Sequence, residues 1–415
     1  MLAEKYVDTS WDFRTADTKQ LTHCYHNYPA MMIPQIAGRL LDRYASNATL
    51  LFDPYCGTGT SLVEANVRGI DAIGTDLNPL ARLIARAKTT RVNPQILDLY
   101  LKEFNDFAFS INFGINVPSI VLPKFKNIDF WFDKPIQKNL AIVKHFIESI
   151  TDTAIRDFFF VAFSETVRES SWTRNSEFKL YRMTEKQRAK FAPDVFGLML
   201  QKLARNRKGL TAFLAQVASN SAQTRIYDFN TIEGIRHIEP GTVDIVVTSP
   251  PYGDSRTTVA YGQFSRLANQ WLGVENAEKI DARLMGGRRK QIEPFGITIA
   301  DDTVAQIATH DGKRAQDVYS FYRDYFRSIG NVAEIVKKGG YVCYVVGNRR
   351  VKGVALPTDE ITAAFFSRHK FTHIETIIRN IPNKRMPSRN SPTNQTGVTD
   401  STMNREYIVV MQKSG

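Results

Sequence analysis

The chain has 415 residues, of which 43% are hydrophobic, and it carries a formal net charge of +12. This length suffices for one large domain with an inserted or appended one, and the positive charge favours a polyanionic partner. No apolar run reaches the about 18 residues of a transmembrane helix, and the three cysteines lack disulfide or metal-site spacing, which fits a reducing, cytoplasmic setting without a bound metal.

The first predicted elements are a helix, a strand, a glycine turn and a second helix. Tyr28-Pro29-Ala30 leads into an amphipathic helix with apolar residues from Met32 to Leu41. A strand then runs into Asp53-Pro54-Tyr55-Cys56-Gly57-Thr58-Gly59-Thr60, with a helix over 61–67. Glycines permit positive φ and close backbone approach, and a helix N-terminus favours negative groups. The spacing is not GxGxxG, so a dinucleotide is not the natural ligand.

A second strand over 70–75 ends in Asp76-Leu77-Asn78-Pro79, ahead of a helix over 79–88. A carboxylate at the end of such a strand suits the diol of a ribose. The glycine turn, the helix, the strand and the acidic residue together indicate a site for an adenosine-containing cofactor.

The alternation of strands and helices then stops, and residues 89–222 show mostly helical periodicity. We interpret this stretch as a largely helical insertion. Within 170–190, the basic residues Arg174, Lys179 and Arg182 alternate with aromatic residues. Such a mixture predicts contact with a nucleic acid backbone and its bases. The alternative is a solvated helical face with aromatic anchors.

The alternation resumes with a short strand that ends in Asp228, followed by Phe229, and a buried strand over 243–247 continues into Thr248-Ser249-Pro250-Pro251-Tyr252. Neither proline has an N–H, so the chain leaves the sheet in a rigid, extended conformation. The Ser249 hydroxyl and the Pro250 carbonyl can then be directed at a planar amino group. The Tyr252 ring offers a surface on which a base can stack.

The remaining residues predict a flexible basic segment at 285–290. An amphipathic pattern over 318–332 predicts a helix, which Gly339-Gly340 is expected to terminate, and a strand follows over 341–347. Two further strands, over 371–379 and 405–411, are predicted to form a hairpin with a long polar loop.

Three motifs, DPYCGTGT at 53–60, GTDLNP at 74–79 and TSPPY at 248–252, resemble those of the S-adenosylmethionine-dependent amino-methyltransferases of DNA. The resemblance implies an α/β, Rossmann-like methyltransferase fold with a mostly parallel central sheet, an antiparallel C-terminal hairpin and a helical insertion. It divides the chain into 1–88 and 223–415, the two halves of the methyltransferase domain, and 89–222, the insertion and candidate DNA-recognition region. The insertion itself matches no motif of the family.

In this family the first two motifs hold S-adenosylmethionine and the third holds a flipped base. The implied cofactor-binding residues are Tyr28, Pro29, Ala30, Asp53, Tyr55, Cys56, Gly57, Thr58, Gly59, Thr60, Asp76, Leu77, Asn78, Asp228, Phe229 and Thr248. The implied catalytic residues are Ser249, Pro250, Pro251 and Tyr252. The candidates for DNA contact are Arg174, Lys179, Arg182, Arg256, Arg288, Arg289, Lys384, Arg385 and Arg389, of which the last three stand in the hairpin loop. Disorder or mere surface placement competes with a DNA-binding role for that loop.

The resemblance implies methyl transfer to an exocyclic amine of duplex DNA, which requires that the base be flipped out of the helix. Serine at position 249 favours the 4-amino group of cytosine, because Ser-Pro-Pro-Tyr is commoner in the cytosine-N4 enzymes and Asp-Pro-Pro-Tyr in the adenine-N6 enzymes. Adenine-N6 methylation stays open as an alternative. The absence of a Pro-Cys pair after a strand argues against carbon-5 methylation of cytosine.

Two other functions are weighed. An RNA methyltransferase acting on the 2-amino group of guanine would also use Pro-Pro-Tyr-Gly, but the short segment before the first motif leaves no room for the usual RNA-binding domain. A DNA-binding specificity subunit with a disabled site is disfavoured by the intact Gly57, Gly59 and Asp76. We expect duplex DNA as the partner, a cognate restriction endonuclease as a further one, and no membrane attachment. The oligomeric state is left open.

Overall fold

The computed structural model describes residues 4–174, 177–254, 258–381, 389–390, 400–401 and 403–415, with backbone alone at 389–390 and 400–401. The strands are β1 (Lys5–Val7), β2 (Leu50–Asp53), β3 (Asp71–Thr75), β4 (Thr224–Tyr227), β5 (Val243–Thr248), β6 (Val336–Val346), β7 (Arg350–Val351), β8 (Val354–Ala355), β9 (Phe371–Asn380), β10 (Arg389–Asn390), β11 (Asp400–Ser401) and β12 (Arg405–Lys413).

The helices are α1 (Pro34–Tyr44), α2 (Thr60–Val67), α3 (Pro79–Thr89), α4 (Pro94–Asn112), α5 (Ile128–Trp131), α6 (Lys134–Ser149), α7 (Thr153–Glu169), α8 (Glu185–Arg188), α9 (Val195–Val217), α10 (Tyr261–Trp271), α11 (Ile280–Arg283), α12 (Thr298–His310), α13 (Gly312–Ile335) and α14 (Thr358–Ser367), with 3-10 turns at Thr9–Trp11, Leu21–Tyr25 and Ala277–Lys279.

Eight strands form one sheet in the order β1-β9-β12-β6-β5-β2-β3-β4. Among the described residues of this sheet, β12 alone runs antiparallel to its neighbours, β6 and β9, and all other pairs are parallel. Parallel strands joined by helices form a sheet that is covered on both faces. The α/β fold class, with its mostly parallel sheet and antiparallel C-terminal hairpin, is therefore confirmed.

The neighbouring positions of β2 and β5 determine where the two sequence motifs meet. The strands pair in parallel through Leu51 with Ile245 and Phe52 with Val246, although about 190 residues separate them. Their carboxyl ends therefore lie at the same edge of the sheet. The chain continues from β2 to β3 on one side, while β5 lies on the other, so this edge is a topological switch point, where open α/β sheets bind ligands.

Side chains of these central strands alternate between two hydrophobic clusters. Leu51, Ile245 and Val247 pack with Leu40 of α1 on one face. Phe52 and Val246 pack on the other face in the cluster that includes α13. All six residues of β5 are buried, which explains its almost continuous apolar sequence.

The segment 89–222 carries helices α4 to α9, and the described part of it contributes no strand to the sheet. Its predicted helical character is confirmed. One hydrophobic cluster extends from Leu80 and Leu83 of α3 through Phe158 and Leu210 to Trp271 of α10. The helical layer therefore shares its core with the helices that flank the sheet.

Several helix ends follow directly from local sequence. Asn78 caps α3, where its side chain accepts a hydrogen bond from the N–H of Leu80, and Pro79 takes the first helical position. Asn93 and Pro94 begin α4 in the same way. An Asn-Pro pair suits a helix start because the amide oxygen caps free N–H groups and proline lacks the N–H that would stay unpaired.

Two boundaries differ from the prediction. α13 ends at Ile335 rather than at Gly339-Gly340, and β6 begins at once at Val336. The register against β5 shifts between Val336 and Tyr341, and Gly339 adopts φ +78°, so the glycine makes a bulge within the strand. Strand β1, which pairs with β9, was not predicted. No described helix is both long and apolar enough to cross a membrane.

Candidate functional site

The glycine turn brings the start of α2 close to α3. Gly57 and Gly59 have φ values of +49° and +78°, which disfavour residues with a side chain. A Cβ at Gly59 would lie 3.0 Å from the Cβ of Ala85. Cys56 donates its N–H to the Thr75 carbonyl at 3.0 Å, so the turn is fastened to the end of β3.

A cavity, here named the glycine-turn cavity, opens at this edge of the sheet. Its lining includes most of the predicted cofactor-binding residues, namely Tyr28, Pro29, Ala30, Asp53, Tyr55, Cys56, Gly57, Thr58, Thr60, Asp76, Leu77, Asn78 and Phe229. Ser249 and Pro251 of the proline corner line it as well.

Asp76 is held at the end of β3 by backbone donors. Its carboxylate accepts hydrogen bonds from the N–H of Gly57 at 3.0 Å and of Asn78 at 2.7 Å. Burial raises the pKa of Asp76 from its ordinary value, and the two N–H groups oppose that rise. A carboxylate that lines a cavity at a strand end can accept from the hydroxyls of a ribose.

Asp53 provides a second carboxylate, at the end of β2. It accepts from the hydroxyls of Ser61 and Thr248, the latter at 2.6 Å, and from the N–H of Tyr55 at 3.1 Å. Burial raises the pKa of Asp53 to about 6 despite these bonds. A cationic group in the cavity would favour the ionised form of Asp53.

Asn78 fixes the opposite wall through a buried hydrogen-bond network. Its amide nitrogen donates to the Tyr28 hydroxyl at 2.8 Å and to the Ser265 hydroxyl at 2.9 Å, while its oxygen accepts from Asn269 at 3.1 Å. Tyr28 in turn stacks on Tyr261, with ring centroids 6.1 Å apart. Tyr261 and Ser265 were not identified from the sequence, because their helix carries no recognisable motif.

Phe229 contributes an aromatic side to the cavity, stacked on His237 with centroids 4.9 Å apart. Asp228, predicted beside it, does not line the cavity. Its side chain is 77% exposed, with its carboxylate 3.8 Å from Arg82. Adjacent residues in an extended chain point in opposite directions, so Phe229 faces inward and Asp228 outward. Gly59 and Thr248 also lie behind the cavity wall, where they support α2 and Asp53.

A second cavity, the proline-corner cavity, adjoins the first. Its volume is larger, about 370 Å³, whereas the volume of the glycine-turn cavity is about 130 Å³. Ser249, Pro250 and Tyr252 line it. The two cavities share Ser249, Ala30, Met31, Met32 and Tyr261. Ser249 therefore stands at the boundary of both.

A chain of polar contacts orients the ring of Tyr252. The Ser249 hydroxyl donates to the Tyr252 hydroxyl at 3.2 Å, and the latter donates to Glu406 at 2.9 Å. Glu406 forms an ion pair with Arg379. Gly347, at the end of β6, leaves room for the ring, since a Cβ there would lie 2.8 Å from Tyr252 Cδ2.

Arg379 and Glu406 come from β9 and β12, and both line the proline-corner cavity. Arg379 is 4% exposed and also donates to the carbonyls of Trp11 and Asp12, at 2.8 and 3.2 Å. Sequence reasoning missed this pair, because the residues lie more than 100 positions from the motif that they contact. Nothing in the sequence of either strand distinguished them, since β9 also carries Glu375 and β12 also carries Arg405 and Lys413.

The predicted DNA-contacting residues lie in different settings. Arg174 is exposed and Lys179 partly so, but the guanidinium of Arg182 stacks over Phe130 at 4.0 Å and Trp172 at 5.1 Å. Burial and the nearby Arg188 lower the pKa of Arg182. Its charge is therefore engaged by aromatic faces.

The segment 285–290 is not an open basic loop. Met285, Gly286 and Gly287 are buried, and Arg289 forms an ion pair with Asp317 at 2.6 Å. Arg288 is exposed. Arg256, Lys384 and Arg385 lie outside the described residues, and Arg389 is described by its backbone alone. A DNA contact by any of these four residues stays a prediction.

No family model matches the chain. The chain is 38% identical to the type II methyltransferase M.MvaI of Kocuria varians, and the match covers 96% of this chain and 93% of that protein. It is 19% identical over 269 residues to the type II methyltransferase M.BsoBI of Geobacillus stearothermophilus, which covers 57% of this chain and 50% of that protein.

Solved structures give weaker likenesses. A SAM-dependent methyltransferase of Methanosarcina mazei matches with a TM-score of 0.32 and 8% identity, over 90% of this chain and 97% of that one. The rRNA methyltransferase aviRa of Streptomyces viridochromogenes matches with a TM-score of 0.31 and 12% identity, over 94% and 88%.

Proposed function

Since the chain belongs to the type II DNA methyltransferase family, we propose that it transfers a methyl group from S-adenosylmethionine to the 4-amino group of cytosine in duplex DNA. The observation that supports this most directly is the position of Ser249 at the boundary of two adjoining cavities. A methyl donor in the glycine-turn cavity and a base in the proline-corner cavity would meet there. A paired base cannot reach such a site, so the proposal includes base flipping.

S-adenosylmethionine supplies an electrophilic methyl group, and the glycine-turn cavity offers groups that fit its other parts. The Asp76 carboxylate suits the ribose hydroxyls, and the Phe229 ring offers a stacking surface to the adenine. The Asp53 carboxylate suits the ammonium group. Displacement at a methyl carbon needs no covalent enzyme intermediate, so the protein contributes orientation and exclusion of water.

We expect Asp76→Asn to weaken S-adenosylmethionine binding by about 10- to 100-fold, because it replaces a charged acceptor by a neutral one of the same shape. Isothermal titration calorimetry measures the change. Asp71→Asn is the matched control, since Asp71 is exposed at the opposite end of β3. The affinity of this variant for S-adenosylmethionine should stay within twofold of wild type. Equal affinities for the two variants would contradict the role of Asp76.

The proline-corner cavity offers acceptors for an exocyclic amine. Ser249, Pro250 and Glu406 all line it, and the acceptors that they carry are a hydroxyl, a backbone carbonyl and a carboxylate. The lone pair of an amine on a base ring is delocalised, which makes the nitrogen a poor nucleophile. Hydrogen bonds from both amine protons to Ser249 and Pro250 would favour a more pyramidal nitrogen and restore its reactivity.

Arg379 supports cytosine over adenine. Both bases present an amine beside a ring nitrogen, but cytosine adds a carbonyl where adenine has a C–H. A guanidinium has five N–H groups, and Arg379 directs three of them to described partners, the Trp11 and Asp12 carbonyls and Glu406. Its remaining N–H groups can donate to the cytosine carbonyl, for which adenine has no equivalent acceptor.

The target is tested by incubating the chain with labelled S-adenosylmethionine and either duplex DNA or tRNA, followed by mass spectrometry of the nucleosides. We expect N4-methylcytosine in DNA. N6-methyladenine would overturn the choice of base, label in tRNA would favour the RNA guanine reaction, and no label would favour a specificity subunit. Single-molecule sequencing of DNA from expressing cells then gives the recognition site.

Residues 89–222, and within them 170–190, are proposed to contribute to DNA recognition. Arg174 and Lys179 reach solvent beside the exposed rings of Phe178 and Tyr181. Basic groups interleaved with aromatic rings suit contact with phosphates and bases. A cognate restriction endonuclease recognising the same site is the proposed partner in the cell.

Replacing Arg174, Lys179 and Arg182 by alanine should weaken DNA binding and reduce the slope of log K against log salt by about 2, because each phosphate contact contributes roughly 0.9. We expect most of the change from Arg174 and Lys179, since Arg182 is stacked on Phe130. Fluorescence anisotropy over a salt series measures the slope.

The matched control for this slope is Lys102→Ala with Lys138→Ala, which removes two exposed charges from α4 and α6 of the same segment. The control should leave the slope within about 0.5 of wild type. A triple variant with the wild-type slope would move DNA contact elsewhere, for example to Arg288.

A further inference from the structure

Lys88, near the end of α3, is buried without a compensating group. Its side chain is 2% exposed, and among the described residues it forms neither a hydrogen bond nor an ion pair. Burial, and then the charge of Lys19, lower the pKa of Lys88 to about 7. Buried charges in proteins are ordinarily paired, because desolvating an isolated charge is costly. An anion is therefore expected beside Lys88.

The carboxylate of Glu64, whose charge favours the protonated form of Lys88, is already engaged by other partners. Glu64 of α2 accepts from His23 Nε2 at 3.0 Å with one oxygen and from Arg68 at 2.8 Å with the other. Burial lowers the pKa of His23 to about 4. Both oxygens of Glu64 are thus occupied by other side chains, and no carboxylate among the described residues forms an ion pair with Lys88.

Lys88 faces a small cavity of about 60 Å³ that adjoins the glycine-turn cavity. Met31, Met32 and Thr60 line both cavities, and His23 completes the polar side of the smaller one. A group bound in the glycine-turn cavity can therefore extend one end to Lys88.

The same wall contains the N-terminus of α2. Thr60 is the first residue of this eight-residue helix, and its cap, Gly59, provides no side-chain acceptor for the first N–H groups. Free N–H groups at a helix N-terminus attract anions. The helix terminus and the buried ammonium thus point to the same kind of ligand from two independent observations.

We propose that Lys88 and the N-terminus of α2 bind the carboxylate of the methionine part of S-adenosylmethionine. The inference rests on the proposed function and extends it by naming a positioning residue. Asp53 lies in the glycine-turn cavity, so an amino acid group would have an anionic partner for its ammonium and a cationic partner for its carboxylate. Lys88 does not touch the reacting atoms, and its role is to fix the position of the cofactor.

The test compares S-adenosylmethionine with decarboxylated S-adenosylmethionine, which keeps the adenosine, the sulfonium and the amine but lacks the carboxylate. Calorimetry of the full chain gives both affinities. We expect wild type to prefer S-adenosylmethionine by about 10- to 100-fold, as for a hydrogen bond to a charged group. Lys88→Met should bring the two affinities within about threefold, mainly by weakening S-adenosylmethionine binding.

Lys19→Met is the matched control, because Lys19 lines the same small cavity but is exposed. It should retain most of the wild-type preference. Lys88→Arg, which keeps a cation, should restore part of the preference that Lys88→Met loses. A merely structural role for Lys88 would weaken both ligands alike.

Each outcome bears on a separate claim. Equal binding of the two ligands by wild type would overturn the inference without the need for any variant. An undiminished preference in Lys88→Met, with a cooperative thermal transition that shows it is folded, would also overturn it. Failure of wild type to bind S-adenosylmethionine at all would overturn the proposed function, and this inference with it.

Discussion

Tyr252→Ala is expected to lower kcat/KM for DNA methylation by about 100-fold while leaving the affinity for S-adenosylmethionine within twofold. Stacking of a base on an aromatic side chain contributes about 1–3 kcal/mol, and loss of orientation at the reacting nitrogen adds to that. Tyr252 lines the proline-corner cavity and not the glycine-turn cavity. The two effects should therefore separate.

Tyr252→Phe is the control for this experiment. It keeps the ring but removes the hydroxyl that bonds to Ser249 and Glu406, so we expect a loss of about tenfold or less. Steady-state kinetics on a duplex oligonucleotide and calorimetry with the cofactor give both quantities. Near-wild-type turnover by Tyr252→Ala, or a parallel loss of cofactor affinity, would contradict the stacking role.

A second large effect is expected when the target base loses its carbonyl. A duplex carrying a 2-aminopyridine C-nucleoside at the methylated position keeps the amine and the neighbouring ring nitrogen. We expect wild type to methylate it at least about 100-fold less efficiently than cytosine, because a site built to hydrogen-bond a polar group rejects an analogue that lacks it. The buried Arg379 guanidinium would lose its acceptor.

The two bases also differ in intrinsic reactivity, so the informative quantity is the discrimination ratio in wild type against that in Arg379→Met. The reactivity difference cancels in this comparison. We expect the ratio to fall by about tenfold or more in the variant, whose thermal unfolding shows whether the contacts to Trp11 and Asp12 are needed for folding. The same analogue at a cytosine outside the target position should have little effect. An unchanged ratio would remove Arg379 from base recognition.

The sequence was sufficient for the elements that depend on short-range patterns. The apolar run of β5, the two prolines that follow it and the two glycines after β2 each set their own backbone conformation locally. Asn78-Pro79 likewise begins a helix by local capping. The helices of 89–222 followed from periodicity alone, although no motif was recognised there.

Local sequence patterns gave wrong predictions where contacts with residues distant in the sequence decide the backbone conformation or the direction of a side chain. Gly339 looked like a helix terminator but makes a bulge inside β6, because pairing with β5 holds the strand on both sides of it. Asp228, just beyond the end of β4, looked like a ligand residue, but its side chain is 77% exposed and its neighbour Phe229 lines the cavity instead. Side-chain direction depends on register, which is set by the neighbouring strands.

By itself, the sequence determined the two corners of the site and the chemistry of their residues, because glycine, proline and a strand-end carboxylate act through their own backbone and functional groups. Only the tertiary structure decided that β2 and β5 lie side by side, that Arg379 and Glu406 reach Tyr252 from the C-terminal hairpin, and that Lys88 lies buried beside the start of α2. Those contacts join residues from about 30 to more than 150 positions apart. They depend on how the hydrophobic faces of the sheet and helices pack, and no local pattern in the chain records that packing.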